Sequence, residues 1–115
     1  MREIKFRAWD KTYRKWKYLM LDRNRYSLTN PNEPVGDLSD WQQYTGLKDK
    51  NGKEIYKGDV VEGNPIGWTQ TLINDVKWIK DGWYVGKKRL WEDFFGVVKV
   101  IGNIYENPEL LDSSK

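Results

Sequence analysis

The stretch of residues 43–61 constrains the fold more than any other segment of this chain. Asn51-Gly52 is a strong tight-turn signal, because both residue types tolerate a positive φ angle. A second reversal over residues 57–59 leads directly into the apolar pair Val60-Val61. The stretch therefore predicts a loop and a turn that feed the first strand of a small β-barrel. It contains no pattern typical of hydrolysis, group transfer or oxidation.

The composition excludes several kinds of site. The 115 residues include neither cysteine nor histidine, which excludes a disulfide framework, a thiol nucleophile and a cysteine or histidine metal site. Aromatic residues make up 15% of the chain, and their large side chains allow a short β-rich chain to form a core. No long apolar run and no secretory signal is found, so we expect a cytoplasmic protein without a membrane span. No cofactor is expected.

The N-terminal region of the chain predicts a β-hairpin. Apolar and polar residues alternate over residues 4–9 and again over residues 15–20, which is the period of a strand with one buried face. Residues 10–14 would form the turn between them. Such a hairpin is marginal alone and must pack on other elements.

Basic residues are concentrated at this end. Residues 1–25 carry nine basic and three acidic side chains, a net charge of +6, while the rest of the chain carries −3. One interpretation is a nucleic-acid surface, in which interleaved aromatic rings stack on bases and cations neutralise phosphates. The other is a solvated hairpin face that protects a sheet edge from aggregation. The candidate nucleic-acid-binding residues are Arg7, Lys15, Lys17, Arg23 and Arg25.

The segment after the hairpin predicts a boundary. Residues 30–37 are rich in proline, glycine and asparagine and indicate a surface loop. We therefore divide the chain into an N-terminal hairpin subdomain with its linker, residues 1–40, and a barrel of residues 41–115. Ser39-Asp40 could cap a short helical turn over residues 41–44.

Short strands and turns follow at intervals of about ten residues. Asp81-Gly82 predicts a hairpin turn, Gly102 a bulge or barrel corner, and Asn107-Pro108 the start of a short C-terminal helical turn.

No catalytic or metal-binding residue is expected. Residues 49–54 resemble a calcium loop superficially, but they lack a third oxygen ligand before the glycine and the later glutamate. Glu92-Asp93 is a carboxylate pair, yet neighbours in sequence usually diverge, so a polar loop is the better interpretation. We expect that the chain is not an enzyme.

Tryptophan is in surplus for a barrel of this size. Five tryptophans lie after residue 40, and one or two of them should remain at the surface. Exposed tryptophans beside polar residues often mark contact with another chain. We select Trp68 and Trp83 as candidate protein-binding residues; the alternative is that such residues join the two subdomains.

Three blocks of sequence, residues 1–10 (MREIKFRAWD), 43–61 and 100–111 (VIGNIYENPELL), closely resemble the YopX family, small proteins encoded by bacteriophages and prophages. The chain departs from that pattern at Trp41-Gln42, where two apolar residues are expected, and at Lys57, where an acidic residue is usual. The resemblance implies a phage origin and a mainly β fold, an SH3-like small barrel preceded by an N-terminal β-hairpin (α+β) subdomain. It implies no activity.

Two hypotheses about function follow. The first is a non-enzymatic phage or prophage accessory protein in the cytoplasm of a host or infected bacterial cell. It would bind itself as a homo-oligomer, and a host or phage protein. The alternative is a nucleic-acid-binding module acting through the basic N-terminal hairpin.

Overall fold

The computed structural model describes residues 4–22, 25–28, 30–94 and 97–112. In those ranges the chain is mainly β, with ten strands and one short helix, so the predicted fold class is confirmed. The SH3-like form of the barrel stays a prediction. No helix in the same ranges is long and apolar enough to cross a membrane. The chain divides into two compact units, residues 1–44 and residues 45–115, whereas the boundary drawn from the sequence follows residue 40.

Unit 1 is built on the predicted hairpin, which is confirmed. Its strands are β1 (Lys5–Asp10), β2 (Lys15–Asp22), β3 (Arg25–Leu28) and the beginning of β4 (Gln42–Lys48). All the pairings are antiparallel: β1 lies between β2 and β4, and β3 pairs with the other side of β2.

One prediction in this unit is wrong, and one strand was not predicted. Residues 41–44 are not a helical turn, because Gln42 already begins β4. Ser39 instead bonds to β1: its Oγ accepts a hydrogen bond from the backbone N–H of Trp9 at 2.8 Å, and its own N–H donates to the Trp9 carbonyl at 2.9 Å. Strand β3 also had no counterpart in the sequence interpretation, because its four residues are too few for a periodic pattern.

Unit 2 contains the end of β4 and the remaining elements. These are β5 (Glu54–Tyr56), β6 (Asp59–Gly63), β7 (Leu72–Ile79), β8 (Gly82–Val85), β9 (Lys88–Arg89), β10 (Lys99–Asn103) and helix α1 (Glu109–Asp112). Five of the strands form one sheet in the order β10-β6-β7-β8-β9, and every neighbouring pair is antiparallel.

One apolar cluster forms the core of unit 2. Its buried members are Ile55, Val61, Val76, Val85, Leu90, Phe94, Val98 and Val100, and Leu47, Leu72 and Trp83 pack against it. Val76 and Val85 lie directly opposite each other on β7 and β8. Directly opposite residues share one face of a sheet, so this face points into the core and the next residues along each strand point away from it.

The turns of unit 2 are mostly those that the sequence predicts. Gly52 has a φ of +83° in the turn before β5, and a register shift between Val100 and Gly102 confirms the bulge in β10. The β7–β8 turn consists of Lys80 and Asp81, with Lys80 at a φ of +55°, whereas Gly82 already belongs to β8. The predicted C-terminal helical turn is confirmed by α1.

Candidate functional site

The carboxylates of the central block bind backbone. Asp49 Oδ1 accepts hydrogen bonds from the N–H groups of Asn51 and Lys53, both at 2.9 Å. Asp49 Oδ2 accepts another from the N–H of Val100 at 2.9 Å. Burial raises the pKa of Asp49, but these backbone donors outweigh that effect and hold the pKa below its ordinary value. The side chain fastens the turn before β5 to strand β10.

Asp59 has a similar role at the following turn. Its Oδ2 accepts a hydrogen bond from the N–H of Tyr56 at 2.8 Å, and its Oδ1 accepts one from Asn103 Nδ2 at 3.0 Å. Asn103 Oδ1 in turn accepts from the N–H of Tyr105 at 2.9 Å. Asp59 and Asn103 are both almost completely buried, and buried polar side chains need hydrogen-bond partners. Their partners are backbone groups of the turns and each other, so the two side chains hold the turns in place.

Asp10 does the same in unit 1. Its Oδ1 accepts hydrogen bonds from the N–H groups of Thr12 and Tyr13, and its Oδ2 from that of Gly36. Burial raises the pKa of Asp10, but the three backbone donors and the nearby charge of Lys17 outweigh that effect and hold the pKa below its ordinary value. Asp10 therefore stabilises the β1–β2 turn as a carboxylate.

The Glu92-Asp93 pair also serves the backbone. Asp93 Oδ2 accepts a hydrogen bond from the N–H of Arg89 at 2.7 Å, and Glu92 Oε2 lies 3.6 Å from an Arg89 guanidinium nitrogen. Both carboxylates therefore meet one residue of β9. Across the described segments of the chain, no three side chains among His, Cys, Asp and Glu converge as a metal site would require.

The candidate nucleic-acid-binding residues of the hairpin occupy different environments. Arg7 is only 6% exposed, and its guanidinium lies 3.9 Å from the centre of the Trp16 ring. Lys17 is 5% exposed and donates a hydrogen bond to Glu33 Oε2 at 2.8 Å. Lys15 is half exposed and lies 3.5 Å from Glu33 Oε1. Arg23 lies outside the described residues, and Arg25 lies in β3.

Glu33 is the residue that brings two of these cations together. The hydrogen bond from Lys17 and the charge of Lys15 lower the pKa of Glu33. Together they outweigh burial, which raises it, so the net shift is downward. The sequence places Glu33 in a loop and carries no sign of this pairing. As a consequence, the charge of buried Lys17 is engaged within unit 1, whereas exposed Lys15 makes only a weak ion pair with the same carboxylate.

The two candidate tryptophans also differ. Trp68 lies exposed in the turn of residues 65–68, with Lys88 Nζ 5.1 Å from the centre of its ring. Trp83 is half-buried against the core of unit 2, and Trp78 meets it edge-on with the ring centres 5.0 Å apart. The structure thus places Trp68 at the surface and Trp83 at the margin of the core.

Trp68 belongs to an exposed apolar surface on two adjoining turns. The N–H of Ile66 donates to the carbonyl of Asp93 at 2.8 Å, so the turn of residues 65–68 touches the turn of residues 91–94. Ile66, Trp68 and Trp91 are all exposed large apolar side chains on these turns. We call this set the apolar turns. Trp91 was among the tryptophans in surplus, whereas Ile66 has no sequence signal.

A second surface is formed by residues of three strands, of which the sequence marks only Arg89, as part of the basic run of residues 87–89. Lys77 lies directly opposite Tyr84, which lies directly opposite Arg89, so the three form a row across β7, β8 and β9. They alternate with Val76 and Val85 of the core and therefore point outward. The alternation of side chains along each strand identifies this row once the strand register is known. The sequence alone does not specify the register.

Comparison with known proteins gives one family and one similar fold. The profile of the YopX family, described as YopX protein, matches residues 5–112. The fold is similar to the crystal structure of protein EF1440 from Enterococcus faecalis, with a TM-score of 0.59 and 21% identity over 96% of this chain and 99% of that chain. No curated protein sequence matches significantly. Because the family profile covers nearly the whole sequence, the chain belongs to the YopX family.

Proposed function

We propose that this chain is a non-enzymatic accessory protein of bacteriophage or prophage origin that acts in the cytoplasm of a bacterial cell by binding protein chains. The partner we favour is a second copy of itself, and a host or phage protein is the other candidate. The apolar turns are the proposed contact surface.

The observation that carries the proposal is the backbone bond between Ile66 and Asp93, which holds two turns together while their apolar side chains stay exposed. Clustered exposed apolar groups on a small domain usually mark an interaction surface. Tryptophan is also the residue type most often found at the energetic centre of an interface.

The surroundings of Trp68 fit this role. Lys88 Nζ lies over the ring, a cation–π contact that favours this orientation of the exposed side chain. The carboxylate of Asp93 and the ammonium of Lys88 border the apolar turns, as the polar rim borders the apolar centre of many interfaces.

The proposal that the chain is not an enzyme draws support from its carboxylates. Asp10, Asp49, Asp59 and Asp93 all accept hydrogen bonds from backbone N–H groups, which fixes them in structural roles. A catalytic acid or base instead needs to meet a proton of the substrate.

Light scattering tests the proposal. From about 1 to about 100 µM, the average mass should rise above the 13.7 kDa of one chain, because association depends on concentration. The variant Trp68→Ser/Trp91→Ser should return the mass to that of one chain. Trp41→Ser, which removes an exposed tryptophan of unit 1, serves as the matched control and should associate like the wild type.

A single-chain mass at every concentration would exclude self-association. If, in addition, the wild type retained no more protein from a phage-infected lysate than the double variant does, the protein-binding proposal would be wrong.

The alternative, nucleic-acid binding through the basic hairpin, has weaker support. The net charge of that end favours it, but Arg7 and Lys17 are buried and engage Trp16 and Glu33. Steeply salt-dependent binding that is lost in Lys15→Glu would favour it over the protein-binding proposal.

A further inference from the structure

The row formed by Lys77, Tyr84 and Arg89 has properties that the proposed protein contact does not use. We call it the basic face. Lys77 is 62% exposed and Arg89 is 49% exposed, so both charges reach solvent. The guanidinium of Arg89 lies 5.6 Å from the centre of the Tyr84 ring. A half-buried aromatic ring therefore lies between two exposed cations.

The dimensions of the basic face follow from strand geometry. Neighbouring strands lie about 4.7–4.9 Å apart, so the positions of Lys77 and Arg89, two strands apart, are separated by about 10 Å with Tyr84 midway. A flexible chain crossing the three strands would meet a cation, an aromatic ring and a second cation in turn.

The chain is positively charged between Lys77 and Arg89, and the carboxylates of Asp75 and Glu92 meet the two ends of the row. Residues 77–89 contain five basic side chains and one acidic side chain. Asp75 lies 3.9 Å from Lys77, and Glu92 lies 3.6 Å from Arg89. Ion pairs this long, with one or both partners exposed to water, are weak and are readily exchanged for another anion.

We propose that the basic face binds single-stranded nucleic acid. Lys77 and Arg89 would neutralise backbone phosphates, while Tyr84 and the planar guanidinium of Arg89 offer surfaces on which unpaired bases stack. An acidic peptide matches the cations but carries a planar ring only where its sequence contains an aromatic residue, whereas every nucleotide carries a base. A duplex also matches the cations, but its bases are already stacked.

The basic face is separate from the apolar turns. Lys88 lies opposite Val85 and reaches Trp68, whereas Arg89 lies opposite Tyr84. Successive residues of a strand point to opposite faces, so β9 sends one cation to each surface. The nucleic-acid site therefore goes beyond the proposed protein contact and can be tested independently of it.

The first experiment measures binding of the full chain to a fluorescent oligo(dT) of about 20 nucleotides by anisotropy. Neutralising two phosphates gives a salt slope of about −1.4, so the affinity should fall about sevenfold between about 50 and about 200 mM NaCl. The variant Lys77→Gln/Arg89→Gln should bind about tenfold more weakly and with a smaller salt slope.

The matched control is Lys11→Gln/Arg14→Gln, which removes the same charge from the exposed β1–β2 turn of unit 1. This variant should bind like the wild type. Tyr84→Leu keeps an apolar side chain without an aromatic ring, and should weaken binding about fivefold or more at an unchanged salt slope. Thermal unfolding of each variant verifies that it is folded.

Four results would overturn the proposal. These are no binding at the lower salt concentration, equal losses in the two double variants, equal binding of duplex and single strand, and displacement of the oligonucleotide by poly-glutamate as effectively as by unlabelled oligo(dT). Trp68→Ser/Trp91→Ser should bind the oligonucleotide like the wild type, so failure of the protein contact and failure of the basic face give different results.

Discussion

Asp59 Oδ1 accepts a hydrogen bond from Asn103 Nδ2 at 3.0 Å, although 44 residues separate the two in the chain. Both side chains are buried, and each also accepts a backbone N–H group, from Tyr56 and from Tyr105 respectively. This contact joins the central and C-terminal blocks that identify the YopX family. Its role is to hold two turns beside the paired strands β6 and β10.

Replacing Asp59 with Asn should destabilise the protein. The amide group has the same shape but presents an NH2 where one carboxylate oxygen accepts a donor, so one hydrogen bond becomes a contact between two donors. We expect the free energy of unfolding to fall by about 1–3 kcal/mol, measured by urea denaturation. Asp81→Asn, in the exposed β7–β8 turn, is the control; equal losses in both variants would contradict the assigned role.

Acid should weaken the contact between Asp49 and β10. The pKa of Asp49 is held below its ordinary value in the folded protein, while the unfolded chain titrates near about 3.9. Its contribution to stability is therefore complete above that pH and is lost as the pH falls through the lower, folded pKa. Urea denaturation between about pH 6 and about pH 2 should show stability decreasing in this acidic range.

Asp49→Asn identifies the source of that acid sensitivity. The variant should be less stable near neutral pH and should lose less stability on acidification, because the amide does not titrate. Some acid sensitivity will remain, since the pKa values of Asp10 and Glu33 are also lowered. An acid dependence as steep as that of the wild type would mean that Asp49 does not contribute.

Local signals in the sequence were sufficient for most turns and strands. Asn51-Gly52 predicted a turn because few residues tolerate positive φ, and Gly52 has a φ of +83°. The alternation over residues 4–9 predicted β1. The glycine at position 102 predicted the bulge in β10. In each case the physical cause lies within a few residues, so sequence alone carries the information.

Features that depend on distant partners were not predictable. Arg7 alternates with apolar residues, a pattern that predicts a solvent-facing side chain, yet it is buried beside the ring of Trp16. Lys17 is likewise buried because a loop carries Glu33 to it. The basic face required the register of three strands, which no local pattern specifies.

Gly102→Ala should destabilise unit 2 through packing. A Cβ atom at this position would overlap Leu110 Cδ1 of α1 and the side chain of Asn107. Overpacking of this kind typically costs about 1–3 kcal/mol, which thermal or urea denaturation would detect. Gly82→Ala is a matched control, because the nearest atom to its Cβ is Tyr84 Cε1 at an ordinary 3.9 Å. If both variants keep wild-type stability, α1 does not pack on β10 as described.

Trp83→Phe should cost little stability, although the side chain packs against the core. Within the described residues, the buried Nε1 of Trp83 has no hydrogen-bond partner, and an unsatisfied buried donor costs about 1–3 kcal/mol. Phenylalanine keeps most of the ring packing and removes that donor. The removed penalty offsets the loss of buried apolar area, so the free energy of unfolding should stay within about 1 kcal/mol of the wild type.

Trp83→Ala is the comparison that separates packing from hydrogen bonding at this position. It removes the donor and the ring together, and should lower the free energy of unfolding by about 3 kcal/mol or more. Trp78, whose ring meets Trp83 edge-on, would also lose that contact. If Trp83→Phe proved as costly as Trp83→Ala, the indole N–H would have to donate a hydrogen bond in solution. The description of Trp83 Nε1 as a donor without a partner would then be wrong.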